Sequence, residues 1–109
     1  IRIAGWNPRE IFVINADGSN SRMVTRETAD TVEPSWSPDG RRITFIKVTD
    51  GALGNSSIFS IDADGQQMRR ITSASAKDLY AQWSPDETKM AFYSNRDGNF
   101  EIYVLKIHP

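Results

Sequence analysis

"EPSWSPDGRRITF", Glu33 to Phe45, returns in altered form as "AQWSPDETKMAF", Ala81 to Phe92. Trp36 and Trp83, two of the three tryptophans, hold the same place in both phrases, 47 residues apart. Self-similarity at a fixed spacing decides a fold before local propensity does. Sliding Glu10–Lys47 onto Ser57–Ser94 at that spacing needs no gap and leaves 14 identities in 38 positions. They include Ile11/Ile58, Phe12/Phe59, Asp17/Asp64, Gly18/Gly65, Arg22/Arg69, Thr25/Thr72 and Phe45/Phe92. A third, incomplete copy starts at "FEIYVLKI", Phe100 to Ile107, which matches "SIFSIDA" and "EIFVINA" after a three-residue deletion in the preceding loop. The chain therefore holds roughly two and a half units of a tandem repeat.

Composition narrows the classes of function. At 109 residues, 39% hydrophobic and 25% charged, the chain fits one small globular domain rather than a disordered segment. No apolar run approaches the ~20 residues needed to cross a bilayer as a helix. No basic, apolar and small-residue sequence marks a signal peptide, and the chain opens on Ile1, so a leader would already be missing. Thirteen basic against fourteen acidic residues, unclustered, argue against a nucleic-acid surface, which shows a basic stripe. The lack of cysteine excludes disulfides, a thiol nucleophile and thiolate metal sites.

Between turn signals lie short runs rich in Ile, Val, Phe, Tyr and Thr: "EIFVINA", "RITFIKV", "SIFSIDA", "KMAFYS" and "FEIYVLKI". They read as strands, with stops every ~8–12 residues and no window of helical spacing, so the fold class is all-β. Several strands are apolar on both faces. In "EIFVI", Ile11 and Val13 point one way and Phe12 and Ile14 the other, where a sheet with one wet face would alternate apolar with polar. Small sheets stacked face to face have this pattern, and the repeat length suits a four-stranded antiparallel meander, one blade of a β-propeller.

Labelled a to d from the inside outward, the strands of the complete unit are "VEPSWS", "RITFIKV", "SIFSIDA" and "RRITS". The expected organisation is an incomplete blade over 1–30, a complete one over 31–77 and an incomplete one over 78–109. The opening blade lacks a and the last lacks d, so the ends do not complement each other. An unclosed propeller is expected, a piece of a larger protein or a chain that associates with itself through raw blade edges.

With "WSPDG", "WSPDE", two "ADG" turns, "RRIT" and "SNRDGNFEIYVL" in blade order, the chain resembles the TolB-like β-propeller repeats, a tryptophan–aspartate-like family of blades. The resemblance covers essentially the whole chain and is specific for fold more than for function. It implies recognition rather than chemistry. Such blades occur in the periplasmic TolB component of the Tol–Pal envelope system, in the propellers that gate prolyl-oligopeptidase-like and tricorn-like peptidases, and in bacterial surface proteins. A periplasmic or extracellular location follows from the resemblance. Two departures stand out: Glu87 replaces the usual glycine, which predicts a different turn, and the opening "IRIAG" strand is atypical.

Each chemical-looking residue has a structural reading beside the functional one. Asp39 and Asp86 recur in every unit and follow a proline, as turn aspartates bonding their own backbone do. A catalytic carboxylate has no reason to recur, so no catalytic residue is assigned. Trp36 and Trp83 are expected to fill space between blades, while Trp6 lies outside the pattern. "DADG" at Asp62–Gly65 and "NADG" at Asn15–Gly18 resemble the opening of a calcium loop but lack its further oxygens and spaced glutamate, while "NRDGNFE" at Asn95–Glu101 carries more oxygens in a short loop. They read as turns, with no metal and no cofactor expected. His108 is the single histidine, and no G-x-S-x-G elbow is present. "NSS" at Asn55–Ser57 fits a glycosylation acceptor only formally.

Topology places function instead. In a meander the a–b and c–d turns emerge on one face, and these are short and repeated. The b–c and d–a connections emerge on the other, and they are longer and differ between units: "TDGALGNS" against "NRDGN", and "RETADTVE" against "SASAKDLY". Loops on a rigid scaffold are where binding commonly lives. The residues entering strand a lie nearest the axis: Thr31, Val32, Glu33 and Ser35, then Asp78, Leu79, Tyr80 and Gln82. The expected protein-binding set is Glu33, Asp78, Tyr80, Gln82, Arg96 and Asp97, with Tyr80 foremost, because an interface aromatic joins apolar area to a polar tip. The competing reading has these side chains pack in the channel wall.

The expected function is a noncatalytic protein-interaction module with a protein or peptide partner, no nucleic acid and no membrane span. The alternative is the substrate-gating propeller of a prolyl-oligopeptidase-like hydrolase whose catalytic domain lies elsewhere. A sugar-acting enzyme on this scaffold would need a histidine cluster, which one histidine does not supply.

Overall fold

The computed structural model describes residues 9–26, 30–48, 55–72 and 76–107, and every regular element among them is a strand. The opening "IRIAG" strand, Trp6, His108, and parts of the variable loops (27–29, 49–54 and 73–75) lie outside the described residues.

Three antiparallel sheets follow one another along the chain. β1 (Phe12–Val13) pairs with β2 (Arg22–Met23). β3 (Thr31–Trp36), β4 (Arg42–Val48), β5 (Ser56–Asp62) and β6 (Arg69–Arg70) form a four-stranded meander in that order. β7 (Asp78–Trp83), β8 (Lys89–Ser94) and β9 (Glu101–Lys106) form a three-stranded one. The arrangement is that of unclosed β-propeller blades, with β3 and β7 as strand a, and β1, β5 and β9 as strand c.

The doubly apolar strands are explained by where the blades meet. One face of the middle blade sends Ile43, Phe45, Phe59 and Ile61 against Ile11 and Val24 of the preceding blade. Its other face sends Ile46 and Ile58 against Ala81, Met90 and Phe92 of the following one. Side chains alternate across a strand, so one sheet serves two cores. Full burial of each large side chain contributes about 1.5–3 kcal/mol.

Strand d is shorter than "RRITS" suggests, because it leaves the ladder after Arg70. The Thr72 hydroxyl oxygen then accepts the Ile58 N–H at 2.9 Å, and Thr25 does the same for Ile11 at 2.9 Å. A buried hydroxyl thus replaces the next backbone rung, which is why threonine closes both copies.

The "WSPD" turns are the same object twice. The Ser37 and Ser84 hydroxyls each donate to the aspartate two residues on, at 2.7 Å, and accept the N–H of Arg42 (3.0 Å) and Lys89 (3.1 Å). Asp39 and Asp86 also accept the N–H of Arg41 and Thr88. Contrary to expectation, Glu87 does not change the turn. Its φ is 63°, against 72° at Gly40, so a side chain is held in left-handed backbone that favours glycine. The tryptophans differ from one another: Trp83 is half-buried against the blade before it, with the Arg42 guanidinium 5.2 Å from its ring, whereas Trp36 is 51% exposed.

Candidate functional site

Strand a is not regular in either blade. The register of β3 against β4 shifts between Val32 and Ser35, and that of β7 against β8 shifts between Leu79 and Gln82. Within each bulge one residue takes left-handed backbone, Glu33 at φ 56° and Tyr80 at φ 57°. For a residue with a Cβ this costs roughly 1–2 kcal/mol, and bulges are devices that re-aim a side chain. The two bulges are linked, because the Glu33 carboxylate accepts the Tyr80 N–H at 3.1 Å across the blade boundary.

Tyr80 stays 56% exposed, its ring edge-on to Tyr93 with centroids 5.6 Å apart. Gln82, Arg96 and Asp97 are also exposed, and Glu33 is half-buried. Asp78 departs from expectation. It is fully buried, and its carboxylate accepts two bonds from the Arg96 guanidinium at 3.2 and 3.3 Å. A buried carboxylate needs such a partner, so Asp78 positions Arg96 and does not itself reach the surface.

Arg96 is exposed yet held by several partners. Its Nε donates to the Ser94 hydroxyl at 2.9 Å, and its guanidinium lies 5.0 Å from the ring centres of Phe92 and Tyr103. The Tyr103 hydroxyl bonds the Asp97 carboxylate, which raises the phenol pKa above its ordinary value. Asn95 accepts the Lys77 N–H at 2.9 Å through its side-chain oxygen, joining the b–c turn of the last blade to the connection that enters it. Glu33, Tyr80, Arg96 and Asp97 are thus tied by β7 and its neighbours into one end of the blade pair. The sequence pattern does not announce the bulge, whose positions carry a glutamate once and a tyrosine once.

The opposite face carries an open cleft of about 610 Å³ formed by the repeated turns, with Asp39, Arg41, Arg42, Asp62, Asp64 and Arg69 among its walls. Its charges are balanced, and Arg69 lies 3.8 Å from Asp62. Turn hydrogen bonds occupy Asp39 and Asp64, the latter accepting the Gln66 N–H at 3.0 Å. Among the described residues no group of three or more His, Asp or Glu side chains is placed to hold a metal ion.

No family model matches the chain. A 42-residue stretch is 40% identical to the Tol-Pal system protein TolB of Mannheimia succiniciproducens, covering 38% of this chain and 10% of that protein. A 49-residue stretch is 37% identical to the dipeptidyl-peptidase 5 of Porphyromonas endodontalis, covering 45% of this chain and 7% of that one. The crystal structure of TolB from Acinetobacter baumannii matches with a TM-score of 0.74 at 27% identity, over 90% of this chain and 24% of that chain. The chain therefore spans a tenth or less of these curated relatives and about a quarter of the solved one.

Proposed function

We propose that this chain, a partial β-propeller of TolB-like blades, is a noncatalytic protein-interaction module that binds through the face carrying the b–c and d–a connections. The observation that carries the reading is Tyr80. Strained backbone holds an exposed aromatic ring edge-on to Tyr93, and a rigid amphipathic side chain binds at low entropic cost. Glu33, Gln82, Arg96 and Asp97 supply the polar rim, and Asp78 positions Arg96. The units are 1–30, 31–77 and 78–109. The likeness to TolB proteins supports a protein or peptide partner and a periplasmic location.

A second reading draws on the likeness to a dipeptidyl-peptidase: the blades gate substrate for a hydrolase domain, and the same face meets a peptide in transit. Peptides selected from a random displayed library on the immobilised chain test both. Tyr80→Ala is expected to weaken their binding at least ~10-fold, with Asp64→Ala on the opposite face neutral. Binders indifferent to Tyr80→Ala but lost with Asp64→Ala would sink the proposal. Peptide binding with strict dependence on a free peptide terminus would favour the gating reading.

A further inference from the structure

Four turn aspartates use a carboxylate oxygen on their own backbone. Asp17, Asp39, Asp64 and Asp86 each accept the N–H two residues on, from Ser19 (2.9 Å), Arg41 (3.0 Å), Gln66 (3.0 Å) and Thr88 (3.1 Å). Among the described turn aspartates Asp97 departs from this, because its carboxylate takes the Tyr103 hydroxyl instead. The middle blade has no counterpart of that bond. Tyr103 pairs with Phe92 as Phe59 pairs with Phe45, and Phe59 carries no hydroxyl. Tyr103 thus turns Asp97 away from its own loop, and Asp97 stays exposed. Tyr103 also packs against the core shared by the middle and last blades, so the arrangement sits at an internal boundary and not at an end of the chain.

Charge around this boundary favours anions. Arg96 is the one cation among the proposed contact residues, and buried Asp78 holds it at 3.2 Å, so the two leave no net charge. Asp97 and Glu101 both act on the Tyr103 phenol and raise its pKa, Asp97 foremost through its hydrogen bond and Glu101 through its charge, with Arg96 opposing. Glu33 adds a carboxylate from the blade before. Even with Lys77 included, carboxylates outnumber cations there. Tyr80 follows Asp78 by two residues on β7, roughly 7 Å along the strand, and contributes an exposed ring. Aromatic faces and carboxylates both attract cations, and a guanidinium suits the two together, since it stacks on rings and donates in a fork.

Building on the binding face put forward above, we propose that this face recognises an arginine side chain of a peptide partner. Asp97 accepts the guanidinium N–H groups, Tyr80 packs against the side chain, and Tyr103 is the positioning residue that presents Asp97.

Amide-shift titration of the labelled chain tests this with an N-acetylated, C-amidated Gly-Gly-Arg-Gly-Gly peptide and counterparts with norleucine or glutamate at the centre. The arginine peptide should shift the Tyr80 and Asp97 amides saturably and bind about 5-fold or more tightly than either counterpart. Asp97→Asn and Tyr103→Phe should each cut that preference about 3-fold or more. Tyr103→Phe restores the residue type of the equivalent Phe59 and is expected to fold. It should also slow hydrogen exchange of the Asn99 amide, as Asp97 takes up the bond its counterparts make.

Equal binding of the arginine and glutamate peptides would overturn the proposal, as would a preference untouched by Asp97→Asn. Binding seen only when the acetyl cap is removed would also overturn it, because a terminal amine would then be the recognised cation. Library-selected peptides that depend on Tyr80 but show no excess of arginine and ignore Asp97→Asn would sink this inference and leave the binding face standing. Selected peptides indifferent to Tyr80→Ala would sink the face itself, so the two failures are distinguishable.

Discussion

The Glu33 carboxylate accepts the Tyr80 backbone N–H at 3.1 Å, and the two residues hold the same place in successive repeats. Strand bulges leave a ladder donor unpaired, and here the side chain at one bulge satisfies the donor at the next. The bond orients Tyr80 and couples adjacent blades. Glu33→Ala should therefore speed hydrogen exchange of the Tyr80 amide at least ~10-fold while costing about 0.5–1.5 kcal/mol of stability. An unchanged Tyr80 exchange rate would show that the bond does not hold the bulge.

Glu87 sits in left-handed backbone where its repeat-mate is Gly40. Glu87→Gly relieves strain of roughly 1–2 kcal/mol and loses about 0.5–1 kcal/mol to the added freedom of the unfolded chain. A net stabilisation of about 0.5–1 kcal/mol in urea unfolding is expected, and Gly40→Ala should shift stability the other way. Equal destabilisation by both changes would contradict the shared turn geometry.

Thr72 replaces a rung of the ladder for the buried Ile58 N–H. Thr72→Val keeps the shape and strands that donor, so a loss of about 1–3 kcal/mol is expected, with Thr72→Ser costing less because the acceptor remains. A Thr72→Val protein as stable as the parent would mean the N–H finds another partner.

Acid should act on the repeated turns. Hydrogen bonds from the Ser84 hydroxyl, then from the Thr88 hydroxyl and N–H, lower Asp86 to about 2. Asp39 is lowered by the Arg41 N–H and the Ser37 hydroxyl. The folded values lie below the unfolded carboxylate range, near ~4. Their stabilisation is therefore complete above that range and is lost as pH falls toward about 2. Asp86→Asn should flatten the acid limb of a stability profile, and an identical limb in parent and variant would assign acid sensitivity elsewhere.

Much of the fold was legible because the repeat is written in residues with local physical duties. Serine and aspartate of "WSPD" close a turn, threonine of "RRIT" substitutes for a backbone bond, and doubly apolar strands announce two neighbours per sheet. The bulge was not legible, since tertiary packing imposes left-handed backbone on whatever residue stands there, glutamate once and tyrosine once. The burial of Asp78 was hidden for a related reason. Its repeat-mate is Thr31, also buried, and only the three-dimensional position of Arg96 shows why a carboxylate is tolerated there. Trp36 misled in the other direction, because recurrence implied packing between blades while its ring is 51% exposed.

Amide chemical-shift mapping of the isotope-labelled chain with a library-selected peptide tests the choice of face most directly. Perturbations are expected to cluster at Glu33, Tyr80, Gln82, Arg96 and Asp97, with the turns at Asp39, Asp64 and Arg69 unmoved. Perturbations confined to Asp39, Asp64 and Arg69 would contradict it and move the binding surface to the cleft formed by the repeated turns.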